Sequence, residues 1–184
     1  MRGLAAALLG VLALGSAAAA AEPWEALAPD GAGFRALLPG RPGYERSSRL
    51  TPLGRVVEHL YTLEQDGTSY WITWTEVPRL ARLFVGEEGI YARVREQVVG
   101  DGGGREVSFG PVLLGSHGGR ELVYRVAGEN GEGARAGRLK AFLVGTRLYV
   151  FDTTAPEAAR SAAAERFFAS LRLEEVAPSL AGGS

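Results

Sequence analysis

From residue 34 onward the chain reads as short alternating segments broken by turns. In "GFRALLPG", Phe34, Ala36 and Leu38 fall on one side of an extended strand, the period of two expected of a half-buried β-segment. Pro39 and Pro42 then remove ladder donors and Gly40 permits a bend, so the strand stops there and is predicted to mark the edge of a sheet. "YERSSRLT" is a polar strand suited to an edge. "RVVEHLYTLEQ" places Val57, His59, Tyr61 and Leu63 on one face and Val56 and Leu60 on the other. Asp66-Gly67 is a strong hairpin signal, because both central residues of a type I′ turn need positive φ. It leads into "SYWITWTEV", residues 69 to 77.

Trp71 and Trp74 are three apart, so in a strand they point to opposite faces. Two large aromatics on opposite faces predict a sheet shielded on both sides. "RLKAFLVG" repeats the pattern, with Leu139, Ala141 and Leu143 against Phe142 and Val144. "RLYVFD" does so again, with Leu148 and Val150 against Tyr149 and Phe151. Two covered faces require at least three layers.

The covering helices are predicted in two places. "EEGIYARVREQVVG" puts Ile90, Tyr91, Val94 and Val98 on one stripe, begins with Glu87 and Glu88, and ends at Gly100, as a helix would. "TAPEAARSAAAERFFASL" spaces Thr154 and Glu157 as a capping box with Pro156 in the first turn, and carries the pair Phe167 and Phe168. The strands "REVSFGPVLL" and "GRELVYRVA" lie between them. "LRLEE" is predicted to close the domain as a last strand alternating Leu171 and Leu173 with charge.

Ahead of this, "MRGLAAALLGVLALGSAAAAAEPW" sets Arg2 before an apolar run from Leu4 to Leu14 and an alanine tract. That is the layout of a secretory signal peptide, with Ala19 and Ala21 suited to a cut before Glu22. The predicted organisation is a signal peptide over 1–21, one domain over 22–177 and a frayed tail over 178–184. The protein is therefore expected to be exported, to the periplasm or the extracellular space. It contains no cysteine, which excludes disulfides and thiolate chemistry, so stability must come from a packed core. Net charge is −1, and loss of Arg2 with the leader takes it to −2. A chain this close to neutral has no electrostatic reason to bind nucleic acid or an anionic membrane.

"GFRALLPGRP", "GGRELVYRV" at 118–126, "GTRLYVFD" at 145–152 and the terminal "ERFFASLRL" together resemble the PsbP-like superfamily of secreted or lumenal domains. The resemblance spans nearly all of residues 22–176. It implies an α+β fold, an α/β/α sandwich in which a central antiparallel sheet has helices packed on both faces. It implies fold more than activity, since the relatives range from an accessory subunit of a photosynthetic complex to bacterial envelope proteins of unassigned role. No family catalytic residue is carried over, and shared fold does not license a function.

The residues themselves offer little catalytic chemistry. His59 and His117 are the only histidines. His59 lies among alternating apolar positions and reads as structural. His117, in "GSHGGRE", lies on a predicted turn, with Asp152 at a predicted strand end. "GDGGGR", residues 100 to 105, follows a helix and lacks the Lys and Ser or Thr of a phosphate loop, so it reads as a helix stop. No clustered donors suggest a metal and no motif suggests a cofactor. In "PRLARLFVGEEG", Leu80, Leu83 and Phe84 stand at i, i+3 and i+4, so one helical turn gathers them. They either cap the sheet or form a patch for a partner or a lipid surface. The expected function is a non-catalytic binding or assembly module of the bacterial envelope with a protein partner. The rival is a small hydrolase or ligand carrier with a pocket near His117 and Asp152.

Overall fold

The computed structural model describes residues 23–52, 54–127, 133–156 and 162–174. Predictions for the leader at 1–21 and the tail at 178–184 lie outside the described residues. Among the described residues the elements run β1 (Glu25–Leu27), β2 (Phe34–Leu38), β3 (Gly43–Thr51), β4 (Gly54–Gln65), β5 (Thr68–Glu76), α1 (Arg79–Glu96), a π-helical turn (Gln97–Asp101), β6 (Arg105–Leu114), β7 (His117–Val126), β8 (Arg135–Val144), β9 (Arg147–Pro156), α2 (Ala162–Ser170) and β10 (Arg172–Leu173). The main sheet is antiparallel throughout, in the order β3-β4-β5-β9-β8-β7-β6.

The hairpin at Asp66-Gly67 forms as its chemistry demands, with φ of 50° and 71° and Gln65 facing Thr68. That register fixes which side chains share a face. On one face Tyr70, Ile72, Trp74, Phe142, Tyr149 and Phe151 meet Phe167, Phe168 and Leu171 and the side chains of β2. On the other, Leu122, Tyr124, Leu139 and Ala141 meet Tyr91 and Val94 of α1. The chain is thus an α+β domain in three layers, with helices against both faces of an antiparallel sheet.

Three sequence expectations change. The β2 segment is not an edge of the main sheet. It is the middle strand of a separate sheet, β1-β2-β10, laid over the aromatic face. The prolines end it as expected, but its alternation reports burial of Phe34, Ala36 and Leu38 against the main sheet, not an edge position. Tyr149 Oη donates to Ala32 O at 2.8 Å and Leu37 N to Ser170 Oγ at 2.8 Å, which bolt this layer down. Second, Thr154 does not cap a helix: β9 runs on through Pro156, because Thr154 pairs with Ser69 and Gly137, and a β-branched residue between two partner strands prefers the ladder. Residues 157–161, including Glu157 of the expected capping box, lie outside the described residues, and α2 spans Ala162–Ser170. Third, among the described residues the closing strand is short, Arg172 and Leu173 pairing with Arg35 and Phe34 and Glu174 N donating to Gly33 O at 3.0 Å.

The expectation that both tryptophans are shielded holds for Trp74, 9% exposed, and fails for Trp71, 49% exposed. The reason is width. Seven strands span about 29 Å, whereas one helix is about 10 Å across. Packed on β7 and β8, α1 cannot reach β5. Iodide is therefore expected to quench Trp71 strongly, and Trp71→Phe should lower the Stern–Volmer constant of the folded protein where Trp74→Phe does not. Equal protection of both indoles would contradict this.

Two pieces make up α1. At Gly86 the backbone leaves the helix with φ 71° and ψ 172°, a conformation open to glycine and strained for other residues. Beyond the break, Ile90, Tyr91 and Val94 are buried on the stripe read from sequence. Ion pairs of Glu88 with Arg120 and Arg95 with Glu106 tie this half to the sheet. Ahead of the break, Arg79–Val85 stands off the core.

Candidate functional site

Where α1 stops short of the sheet's width, a cleft of about 310 Å³ opens. Its floor is the uncovered face of β4, β5, β9 and β8, with Glu58, Trp71, Thr73, Val150 and Asp152 prominent. Its wall is the end of α1 and the π-helical turn, through Val94, Gln97 and Val98. The apolar floor residues follow from strand parity: Leu148 and Val150 face the helix side because Tyr149 and Phe151 face the other.

Asp152 shares that parity. It stands in the middle of β9, directly across from Trp71 on β5 and Leu139 on β8, and is not at a strand end as the sequence suggested. Oδ2 accepts a hydrogen bond from Tyr124 Oη at 2.7 Å. Oδ1 is buried without a hydrogen-bond partner. Burial pushes the carboxyl up to about 7, against the opposing pull of the Tyr124 hydroxyl and of the Thr153 backbone N–H, which lies near the carboxyl without completing a hydrogen bond to Oδ1. Burial first, then the Asp152 charge, raises the Tyr124 hydroxyl as well, so it stays protonated and serves as a donor.

Gly137 makes the Tyr124–Asp152 contact possible. Tyr124 on β7 faces Gly137 on β8, and Gly137 faces Thr154 on β9. A Cβ at 137 would lie 2.2 Å from Tyr124 Cζ and 2.4 Å from Cε2. The phenol therefore lies flat over a strand that has no side chain at that point, and so reaches across β8 to the carboxylate of the next strand.

His117 is not part of this site. Leu122 and Asp152 both lie opposite Leu139 on β8, and His117 is five positions further along β7. At the rise and spacing of strands that is about 19 Å from Asp152. An odd offset also turns its side chain to the opposite face. The pocket expected near both residues is built on Asp152 without the histidine. His59 stacks on Trp74 at 3.8 Å with 7° between planes, and Nδ1 meets Tyr44 Oη at 2.9 Å. Burial, then Arg46, holds its pKa below the ordinary value, which is the structural role read from sequence. Among the described residues no three His, Asp or Glu gather to hold a metal.

Leu80, Leu83 and Phe84 do gather, and they are exposed. Leu83 is 76% and Phe84 73% accessible, and Leu80 and Val85 are exposed beside them. This overturns the reading in which they cap the sheet. Gly86 explains it, because the break turns the first part of α1 away from the face that the second part covers. Arg82 donates to Gly145 O and Val77 N to Thr146 O, so the segment is anchored at its base to the β8–β9 turn.

Three layers, an all-antiparallel seven-stranded sheet and a β2 layer closed by a Phe-Phe helix now stand together. The fold is PsbP-like. Cyanobacterial PsbP from Synechocystis sp. PCC 6803 superposes with a TM-score of 0.54 at 16% identity, over 87% of this chain and 98% of that one. A protein from Bacteroides thetaiotaomicron VPI-5482 matches at a TM-score of 0.48 and 15% identity, over 81% of this chain and 48% of its own. No protein-family model and no curated protein matches the sequence. At such identity the PsbP-like likeness describes the fold, and the cleft and the patch must be argued on their own chemistry.

Proposed function

We propose that this PsbP-like domain is an exported, non-catalytic binding or assembly module of the bacterial envelope that docks a protein partner through Leu80, Leu83 and Phe84. The carrying observation is the exposure of these side chains, with Val85, on one turn held off the core by Gly86. Isolated exposed leucines are ordinary, but contiguous exposed apolar groups are not. Anchors at i, i+3 and i+4 are the spacing with which a helical turn enters an apolar groove.

The charges around the patch favour a protein over a lipid surface. Arg79 precedes it, Arg82 stands between Leu80 and Leu83, and Glu87 and Glu88 follow it. A segment of balanced sign has little attraction for an anionic bilayer, where each basic residue is worth about 1 kcal/mol. Export rests on the tripartite pattern of residues 1–21. Binding rather than turnover is supported at the cleft, where the hydrogen-bonded neighbour of Asp152 is a phenol.

Leu83→Asp is expected to leave stability within about 0.5 kcal/mol and to remove the partner. A photo-crosslinking residue at position 84, in cells of the native envelope, should give one discrete protein adduct that Leu83→Asp abolishes. Adducts to lipid alone, or an adduct indifferent to Leu83→Asp, would overturn the reading. So would unfolding of the variant, which would make the segment core.

A further inference from the structure

The patch leaves the cleft unexplained, and the cleft has a chemistry of its own. Both charged side chains that line it, Glu58 and Asp152, are acids, and no lysine or arginine lines it. Trp71, half exposed, lines it as well. Trp71 and Asp152 are direct cross-strand partners on one face, which sets their Cβ atoms about 5 Å apart. One Asp152 oxygen is satisfied by Tyr124, and the other is buried without a partner. Beside this polar corner stand Val94, Val98 and Val150. An indole face and a carboxylate at that spacing attract a cation from two sides, and the valines give an apolar body somewhere to lie.

We propose that the cleft is a binding site for a small organic cation, an amine with an apolar body, its ammonium held between the Asp152 carboxylate and the Trp71 indole. A donor-bearing cation satisfies the orphaned Oδ1, which a neutral apolar ligand leaves unpaired. An anion is repelled by both acids. The volume of about 310 Å³ suits a one-ring or short-chain amine, at the lower end of small-molecule sites.

Affinity follows the ionisation of Asp152. The groups that face it are few. Tyr124 from β7 is a neutral donor, and α1 with its π-helical turn presents Val94, Gln97 and Val98. Glu58 of β4, in register with Thr75 and so about 17 Å from Asp152 at the spacing of strands, lies at the far end of the cleft. Farther along the same face, Glu106 beyond Tyr124 is paired with Arg95, and Arg135 is spent on Gly67 O, Ser69 Oγ and Thr154 O. The carboxylate is the form that binds, so affinity should rise roughly tenfold per pH unit below 7 and level off above it.

The test titrates 2-phenylethylamine and n-hexylamine into the isotope-labelled protein, with 2-phenylethanol and phenylacetate as neutral and anionic controls. NMR follows the Trp71 indole N–H and backbone amides. Both amines should shift Trp71 saturably, the alcohol at least about tenfold more weakly, and phenylacetate not at all. Asp152→Asn should weaken the amines about tenfold and abolish the pH dependence while far-ultraviolet circular dichroism is unchanged. Equal binding of the alcohol, amine affinity untouched by Asp152→Asn, or no shift with either amine would each overturn the proposal. Leu83→Asp should bind amines normally, so the cleft and the partner patch fail or stand separately.

Discussion

Replacing Asp152 by asparagine is expected to make the protein more stable at pH 8. A carboxyl raised from its ordinary 3.8 to about 7 by burial costs at most about 4 kcal/mol once ionised. Asp152 is only partly shielded as a residue, so about 2–3 kcal/mol is expected. The sign is fixed by the direction of the shift. Well below pH 4 the carboxyl is protonated in both the folded and unfolded chains and the penalty vanishes. As pH climbs to 7 the unfolded chain ionises freely while the folded one resists, and stability falls. Asparagine never ionises, so the gap between variant and parent should open between pH 4 and 7 and stay open above, as a melting temperature roughly 5–10 °C higher. Thermal or urea unfolding of both proteins at pH 4 and pH 8 measures it. A variant less stable at pH 8 would mean that Asp152 carries a structural interaction, and the binding role assigned to it would lose its main support. A residue kept at a stability cost is what a ligand site shows.

Gly137→Ala should act in the other direction and more locally. A methyl 2.2 Å from Tyr124 Cζ has nowhere to go, since Tyr124 is buried beneath α1 with Leu122 and Leu139. The ring must tilt or β8 must bend, at a cost of about 2–3 kcal/mol. Tilting breaks the bond to Asp152 Oδ2, whose effect is to hold the carboxyl down. Asp152 should therefore titrate higher in this variant than in the parent, by carboxyl-carbon NMR, even as overall stability falls. Tyr124→Phe separates the two effects: it removes the hydroxyl without the clash, and should raise the Asp152 titration while disturbing packing much less.

These two positions show what the sequence made legible and what it hid. Alternation in β5, β8 and β9 identified both faces of the sheet, because a strand's parity is fixed by its own residues. Asp66-Gly67 located a hairpin, since few residues other than Gly, Asn and Asp accept positive φ. The stripe Ile90, Tyr91, Val94 found the half of α1 that packs. What covers a face is a different matter, settled by elements distant in the chain. Nothing in "FRALL" distinguishes an edge of the main sheet from a second layer above it. The cleft was hidden for the same reason, being the shortfall between one helix and seven strands. Its polar corner was nonetheless written in the pattern: Asp152 has the parity of Leu148 and Val150, a carboxyl at a position that should face the core. Gly137 and Tyr124 gave no signal, because their partnership exists only once β7 and β8 are in register.

The first eight residues of β3 are all exposed, and the strand belongs to neither core. Among the described residues it is held by the ladder to β4 and by Tyr44, whose ring meets His59 and Tyr61 of that neighbour. Here the molecule can grow: residues added between Thr51 and Gly54, or a longer ribbon projecting from this margin, would disturb neither the aromatic layer nor the helix side. Among proteins that share the architecture, this margin is where length is free to drift and new attachments can be gained without rebuilding the interior.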